Sequence, residues 1–264
     1  MASTAPNLDS FDPLFPFRIQ GLPPTMYYIP NFISAEEEAS ILSKIPSQRW
    51  VTLSHRRLQA HPSTLTNNNT LLGALLPSYL VKPVVERFNV FGVFKNTPHK
   101  EPNHVLINEY KRGEGIMPHE DGAAYSPVVA TVSLGAPICL EITSKPAKLE
   151  EHRSGGESEI QGVTNGPSPE PTSEYNIPTR ILQEPRSLLI TTSSAYSDLL
   201  HGISSIEVDE NLSPDTIANW SLLAEPYLFK EGRNKRRTRV SLTYRDVLKV
   251  SSAARKVLGG LSKR

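Results

Sequence analysis

The sequence predicts a mainly β domain with flanking helices, an α+β arrangement in which helices precede an antiparallel sandwich or jelly-roll core. Three observations carry this. From Asn103 onward short β-rich runs recur, HVLINEY, VVATVSL, ICLEI, SLLITT and RVSLTYR, separated by Gly, Pro and Asp turns. Ahead of them stands a helix start marked by a capping signature at Ser34. The composition is that of an ordinary globular chain, with 38% hydrophobic and 21% charged residues in 264. No apolar run approaches the roughly 18 residues of a membrane span, and MASTAPNLDSFDP carries acids where a secretory signal needs a basic start. Neither membrane insertion nor export is expected. The lone Cys139, in the apolar run PICLEI, reads as a small core residue in a reducing compartment.

Residues 1–24 contain five prolines and read as an irregular N-terminal segment. Ser34 then caps a helix from about Ala35 to Ile45. Glu37 completes the capping box, and Glu36 to Glu38 lie at the positive end of the helix dipole. Residues 46–75, including HRRLQAHPSTLTNNNT, read as polar loop with room for one hairpin. A second helix is expected over 77–89, with Leu80, Val84 or Val85, and Phe88 on one side and a kink at Pro83. The β runs are interrupted at 144–184 by five Pro, four Gly, five Ser and seven acids, a flexible acidic insertion. This makes 25–246 one domain and 247–264 a basic C-terminal tail. The overall net charge of +1 conceals 12 Lys+Arg against 2 acids in residues 230–264. That imbalance points to an anionic partner such as nucleic acid, to a nuclear-import signal, or to a solvated tail.

The candidate chemistry begins at His119-Glu120-Asp121. In extended chain, positions i and i+2 share a side, so His119 and Asp121 present one imidazole and one carboxylate to a common point. These are two of the three ligands of a 2-His-1-carboxylate triad for Fe(II), and His201, in SDLLHGIS, is the best-placed third. Residue types alone leave a surface turn at His119 and a buried structural histidine at 201 as open alternatives. A zinc site of the same donors is chemically possible but leaves the arginines below unexplained. His55, His61, His99, His104 and His152 sit in polar loops or at a strand start and receive no metal role. Strand alternation puts Arg239, Ser241, Thr243 and Arg245 on one face and Val240, Leu242 and Tyr244 on the other. Two guanidinium groups with hydroxyls between them suit a carboxylate or a phosphate. Asn108 and Tyr110 likewise share a face and offer an amide and a phenol.

Taken in order, N-x-Y, H-x-D, TVSLG, HGI and R-x-S-x-T-x-R resemble the AlkB family of iron(II) and 2-oxoglutarate-dependent dioxygenases, most closely its sixth-homologue branch. The resemblance is strongest over 103–142 and 184–245 and extends more weakly to YYIPNFISAEEE. It implies a double-stranded β-helix core, with Fe(II) held by His119, Asp121 and His201. It implies 2-oxoglutarate paired through its 5-carboxylate with Arg239 and assisted by Tyr110, with Asn108, Ser241, Thr243 and Arg245 nearby, and O2 as the oxidant. The implied reaction couples decarboxylation of 2-oxoglutarate to hydroxylation of a substrate C–H, so that an N-methyl group leaves as formaldehyde. Alkylated RNA or DNA is the implied substrate, the alternatives being a protein substrate or a catalytically weak nucleic-acid-binding protein. A nucleotide lid would include Trp50, Arg56 and Arg57, where Trp50 either stacks on a base or anchors the core. Two positions depart from the family. Ala123 stands where base-repairing members often carry an acid, and Ser241 where some have Asn. The expected protein is a monomer of nucleus and cytoplasm, with protein partners unspecified. Arg233, Lys235, Arg236 and Arg237, with Lys249, Arg255, Lys256, Lys263 and Arg264 beyond the strand, remain for phosphates or an import signal.

Overall fold

The computed structural model describes residues 12–145 and 175–251. Residues 1–11, 146–174 and 252–264, and with them parts of the expected irregular segment, acidic insertion and basic tail, lie outside the described residues. Chain order runs β1 (Met26–Ile29), α1 (Ala35–Lys44), β2 (Val51–Leu53), β3 (Arg56–His61), β4 (Thr70–Leu72), α2 (Ser78–Val81), α3 (Val84–Phe91) and β5 (His104–Tyr110). It continues with β6 (Ile116–His119), β7 (Tyr125–Leu134), β8 (Ile138–Ser144), β9 (Thr179–Gln183), β10 (Leu188–Thr192) and α4 (Ser193–Asp198). The last strands are β11 (Leu199–Ile203), β12 (Val208–Glu210), β13 (Arg233–Lys235), β14 (Arg239–Val247) and β15 (Lys249–Ser251).

Two antiparallel sheets face each other. The larger has the order β1-β10-β7-β14-β5-β3-β2 and the smaller β6-β11-β8-β9. Between them Met26, Tyr28, Tyr110 and Leu189 of the larger sheet meet Ile138, Ile181, Leu199 and Ile203 of the smaller in one core. This is the expected jelly roll, or double-stranded β-helix. The outer face of the larger sheet is covered by the helices, where Ile41, Leu80, Val84 and Phe88 pack on Ile107, Val240, Leu242 and Tyr244. The Phe88 and Tyr244 rings meet edge to face at 5.0 Å. A strand of period 2 explains how one segment serves both layers, because odd and even residues of β14 supply different faces.

Helix α1 starts as the capping signature requires. Glu37 N–H donates to Ser34 Oγ at 3.2 Å, and Ser34 N–H donates to the Glu37 carboxylate at 2.7 Å, a box worth about 1 kcal/mol. The second helical pattern is divided at Pro83 into α2 and α3, because proline withholds the N–H that would continue the ladder. Leu80, Val84, Val85 and Phe88 are all buried.

Three boundaries differ from expectation. Residues 46–75 hold the one hairpin allowed for, β2 and β3, but β3 is more than loop: it extends the main sheet by pairing with β5 from Arg57↔Glu109 to His61↔Val105. Its polar residues Gln59 and His61 are buried, with hydrogen bonds that composition does not reveal. The acidic insertion is shorter at both ends, since Ser144 closes β8 and Thr179–Gln183 is a strand on β8 whose Ile181 and Leu182 are fully buried. The basic tail begins later than 247, because Val247 is buried in β14 and Lys249–Ser251 pairs in parallel with β4.

The basic run 233–237 is also less free than its charge suggests. Arg236 is 3% exposed and donates to Asp209 Oδ1 through Nε at 3.0 Å and Nη2 at 2.6 Å. Arg233 pairs with Glu210 at 2.7 Å on the surface.

Burial holds the imidazoles of His61 and His104 down at about 4, helped at His61 by Arg49 and at His104 by Arg245. Both are therefore neutral in the fold. Below the ordinary histidine value of 6.5 the unfolded chain takes up protons that the folded chain refuses. Their contribution is complete above 6.5 and is lost as the pH falls toward 4. The expected result is a lower denaturant midpoint at about pH 5 than at about pH 7.5, measured by tryptophan fluorescence.

Candidate active site

The two sheets enclose a cavity of about 300 Å³ whose walls include every polar residue of the inner face of β14. Its two ends differ in chemistry.

At one end β6 and β11 run antiparallel with His119 directly opposite His201. The imidazole centroids are 4.4 Å apart. The approach is close because the strands meet at glycines. A Cβ on Gly115 would lie 2.1 Å from the Ile203 carbonyl oxygen, and one on Gly202 would lie 2.9 Å from Pro118 N. Any side chain there would push the strands, and with them the histidines, apart. His119 Nδ1 lies 2.9 Å from the Met117 carbonyl oxygen. An N–H on Nδ1 donates there and leaves the lone pair on Nε2, the tautomer a metal needs. Burial, opposed by the Asp121 charge, pushes His201 down to about 4, so its imidazole is neutral at neutral pH and keeps a lone pair for a metal.

Asp121 follows His119 by two residues and is held by the guanidinium of Arg245, an almost fully buried pair. Arg245 in turn lies 4.9 Å over the Tyr125 ring. Tyr196, from α4, closes over this turn by donating to the Gly122 carbonyl at 3.1 Å. Burial first, and Asp121 second, raise its phenol above the ordinary range. With Asp121 directed at Arg245, no three His, Cys, Asp or Glu side chains among the described residues converge on one point.

At the other end stands Arg239, 3% exposed. Its Nε donates to Ser133 Oγ at 3.0 Å, its Nη2 donates to Gln183 Oε1, and its guanidinium lies 5.9 Å from the centre of the Tyr110 ring. All these partners are neutral. Burial pushes the guanidinium down to about 10, which leaves it charged at neutral pH. Among the described residues Arg239 has no ion pair, whereas Arg245 has one, so the two arginines are not equivalent. The expectation that both would serve one anion is corrected here: Asp121 already neutralises Arg245, and the cation in need of an anion is Arg239.

β14 is the central strand of the larger sheet, flanked by β5 and β7, and all nine of its residues are buried. Register sets Arg239 opposite Tyr110 and Ser241 opposite Asn108, so Asn108, Tyr110, Ser241 and Thr243 share the cavity wall with both arginines. Asn108 is held by Arg56 Nε at 3.2 Å, and Arg56 lies on the cavity wall.

Arg57 and Trp50 do not reach the cavity. Successive strand residues face opposite sides, so Arg56 turns inward and Arg57 outward, where it pairs with Glu109 at 2.6 Å and lies 4.4 Å from the Trp50 ring centre. Trp50 packs on the core beneath the helices. Residue patterns missed Gln183, Ser133 and Tyr196. Ser133 could have been found by strand alternation, which sets it with Thr131 on the face opposite Val132 and Leu134 in TVSLG. Gln183 was hidden by the composition of the segment around it.

The 2OG-Fe(II) oxygenase superfamily model matches residues 25–257. A relative from Danio rerio described as "Probable RNA/DNA demethylase ALKBH6" is 35% identical over 89% of this chain and 91% of its own length. The "Alkylated DNA repair protein ALKBH8 homolog" of Arabidopsis thaliana is 28% identical over 52% of this chain and 43% of its own. Among solved structures, OsALKBH1 aligns with a TM-score of 0.46 at 19% identity, covering 85% of this chain and 99% of that one.

Proposed function

We propose, for a chain that belongs to the 2OG-Fe(II) oxygenase superfamily and is an AlkB-like dioxygenase, that it oxidatively demethylates alkylated RNA or DNA. The observation that carries the reading is one cavity with a facing histidine pair and a carboxylate at one end and an unneutralised buried arginine at the other. Two imidazoles and a carboxylate are the donor types that Fe(II) takes, and Asp121 would complete the set by turning from Arg245 toward the histidines. A buried cation with only neutral partners fits the far carboxylate of 2-oxoglutarate, because an unpaired buried charge is costly until an anion meets it.

On this reading His119, His201 and Asp121 hold the metal, and Arg239 with Tyr110 holds the cosubstrate, beside Asn108, Ser241 and Thr243. When bound, iron and 2-oxoglutarate supply oxygen activation, coupling decarboxylation to succinate and CO2 with hydroxylation of a substrate C–H. The chain's own work is positioning. The Met117 carbonyl fixes the His119 tautomer, Arg245 holds the Asp121 carboxylate in the cavity wall, and Tyr196 ties α4 down over the turn that carries Asp121. The apolar wall of Leu140, Ile142, Leu189 and Leu199 keeps bulk water from the reacting centre.

The nucleic-acid substrate is supported by the description of the zebrafish relative over nearly the whole of both chains, and by Arg56, a cation on the cavity wall within reach of a phosphate. Arg56→Ala is expected to raise KM for a methylated oligonucleotide about tenfold. Arg57→Ala, on the opposite face, is expected to leave it unchanged; steady-state kinetics on the two variants separate them. A protein substrate is the second reading, favoured by Ala123, an exposed small residue in the turn after Asp121 that offers a base nothing to bond. The deciding experiment measures 2-oxoglutarate consumption and formaldehyde release with methylated RNA, DNA and peptides, with product mass as readout. Turnover on peptides alone overturns the proposal. Residence in nucleus and cytoplasm belongs to the same reading, and imaging of a fluorescent fusion tests it.

A further inference from the structure

Arg239 is surrounded by acceptors that carry no charge. Its hydrogen-bond partners are the hydroxyl of Ser133 and the amide oxygen of Gln183, both almost fully buried and supplied by different strands. The nearest acid in sequence to Gln183 is its neighbour Glu184, and the structure uses it elsewhere. Its carboxylate accepts from Tyr28 Oη at 2.9 Å, Ala224 N at 2.9 Å and Glu225 N at 2.8 Å. Two adjacent residues of similar shape, one charged and one neutral, are thus sorted so that the neutral one lies against the arginine. At the other end of the cavity the opposite choice is made, since Arg245 is given a carboxylate, Asp121.

From this contrast we propose that Gln183 is a specificity-determining residue for the cosubstrate: it orients the Arg239 guanidinium without neutralising it, so that the pocket selects a ligand whose far end is a carboxylate. The inference rests on the 2-oxoglutarate reading above and adds to it a residue and a selection rule. A carboxylate at position 183 would satisfy the same N–H groups and also cancel the charge. An apolar side chain there would remove the acceptor but leave the cation free.

The test is direct binding, measured by isothermal titration of the full chain with Mn(II) present. The probes are 2-oxoglutarate and its 5-amide, 2-oxoglutaramate, which has the same length but no far charge. Wild type is expected to prefer 2-oxoglutarate. Gln183→Glu, which is isosteric, is expected to weaken 2-oxoglutarate binding by about tenfold or more while changing 2-oxoglutaramate binding little, so that the preference collapses. Gln183→Met is expected to weaken both ligands by a similar small factor and to keep the preference. Thermal midpoints of both variants check that they fold, and the Met variant carries the test if the Glu variant does not. Undiminished preference in Gln183→Glu, or an equal collapse in Gln183→Met, overturns the role of Gln183. If wild type binds neither ligand with Mn(II) present, it is the 2-oxoglutarate reading itself that falls.

Discussion

His201→Ala is expected to abolish 2-oxoglutarate turnover while leaving the chain folded. The expected loss exceeds the 10–100-fold that removing an outer partner of a ligand costs, because no other histidine among the described residues faces His119 across the ladder. The fold survives because the packing of β11 is carried by its neighbours Leu199 and Ile203, which belong to the core between the sheets. Turnover assays with circular dichroism on the same sample check both halves. The exposed His55→Ala serves as the control that keeps activity. Retained turnover in His201→Ala would remove this residue from the catalytic site.

The largest expected loss of stability lies away from the cavity. Asp209→Ala leaves the Arg236 guanidinium buried without its counterion, since the two side chains are 1% and 2% exposed and Arg236 has no second carboxylate partner among the described residues. Breaking a buried pair from one side costs about 3–5 kcal/mol. The loss is read from denaturant unfolding at constant slope. Replacing both partners, Asp209→Leu with Arg236→Met, is expected to recover most of it, because no lone charge then remains inside. If the single change costs under about 1 kcal/mol, the pair is solvated and the argument from burial fails.

The features legible in the sequence were those that a local pattern enforces. The runs at 104–110, 128–134, 138–142, 187–192 and 239–245 announce themselves because a strand must sort its side chains with period 2, and a strand appears over each of them in the structure. The same period assigned Arg239 and Arg245 to one face and Val240, Leu242 and Tyr244 to the other, as found. The Ser34 cap was legible because both halves of its box lie within four residues. What could not be read depends on partners distant in the chain. Nothing local tells whether Arg56 or Arg57 faces the cavity until β3 is registered against β5. Nothing local separates Gln183 from the Pro- and Gly-rich residues before it, because its meaning comes from an arginine 56 positions away. Arg236 looked like part of a surface run for the same reason, its partner being 27 positions earlier.

The central place of β14 also governs how the molecule comes into being. Ser133 and Arg239 are separated by 106 positions, and Asp121 and Arg245 by 124. Closing such long loops costs entropy before any contact returns it, so these pairs form slowly. The strand that carries both arginines comes last of the main-sheet strands in sequence, yet it must enter between β7 and β5. Helix α1 and the β2–β3 hairpin need only near neighbours, so on dilution from denaturant their circular dichroism returns first and 2-oxoglutarate affinity later. Ligand capture is thus a report on completed folding, and a chain stalled before Arg239 would have walls but no pocket.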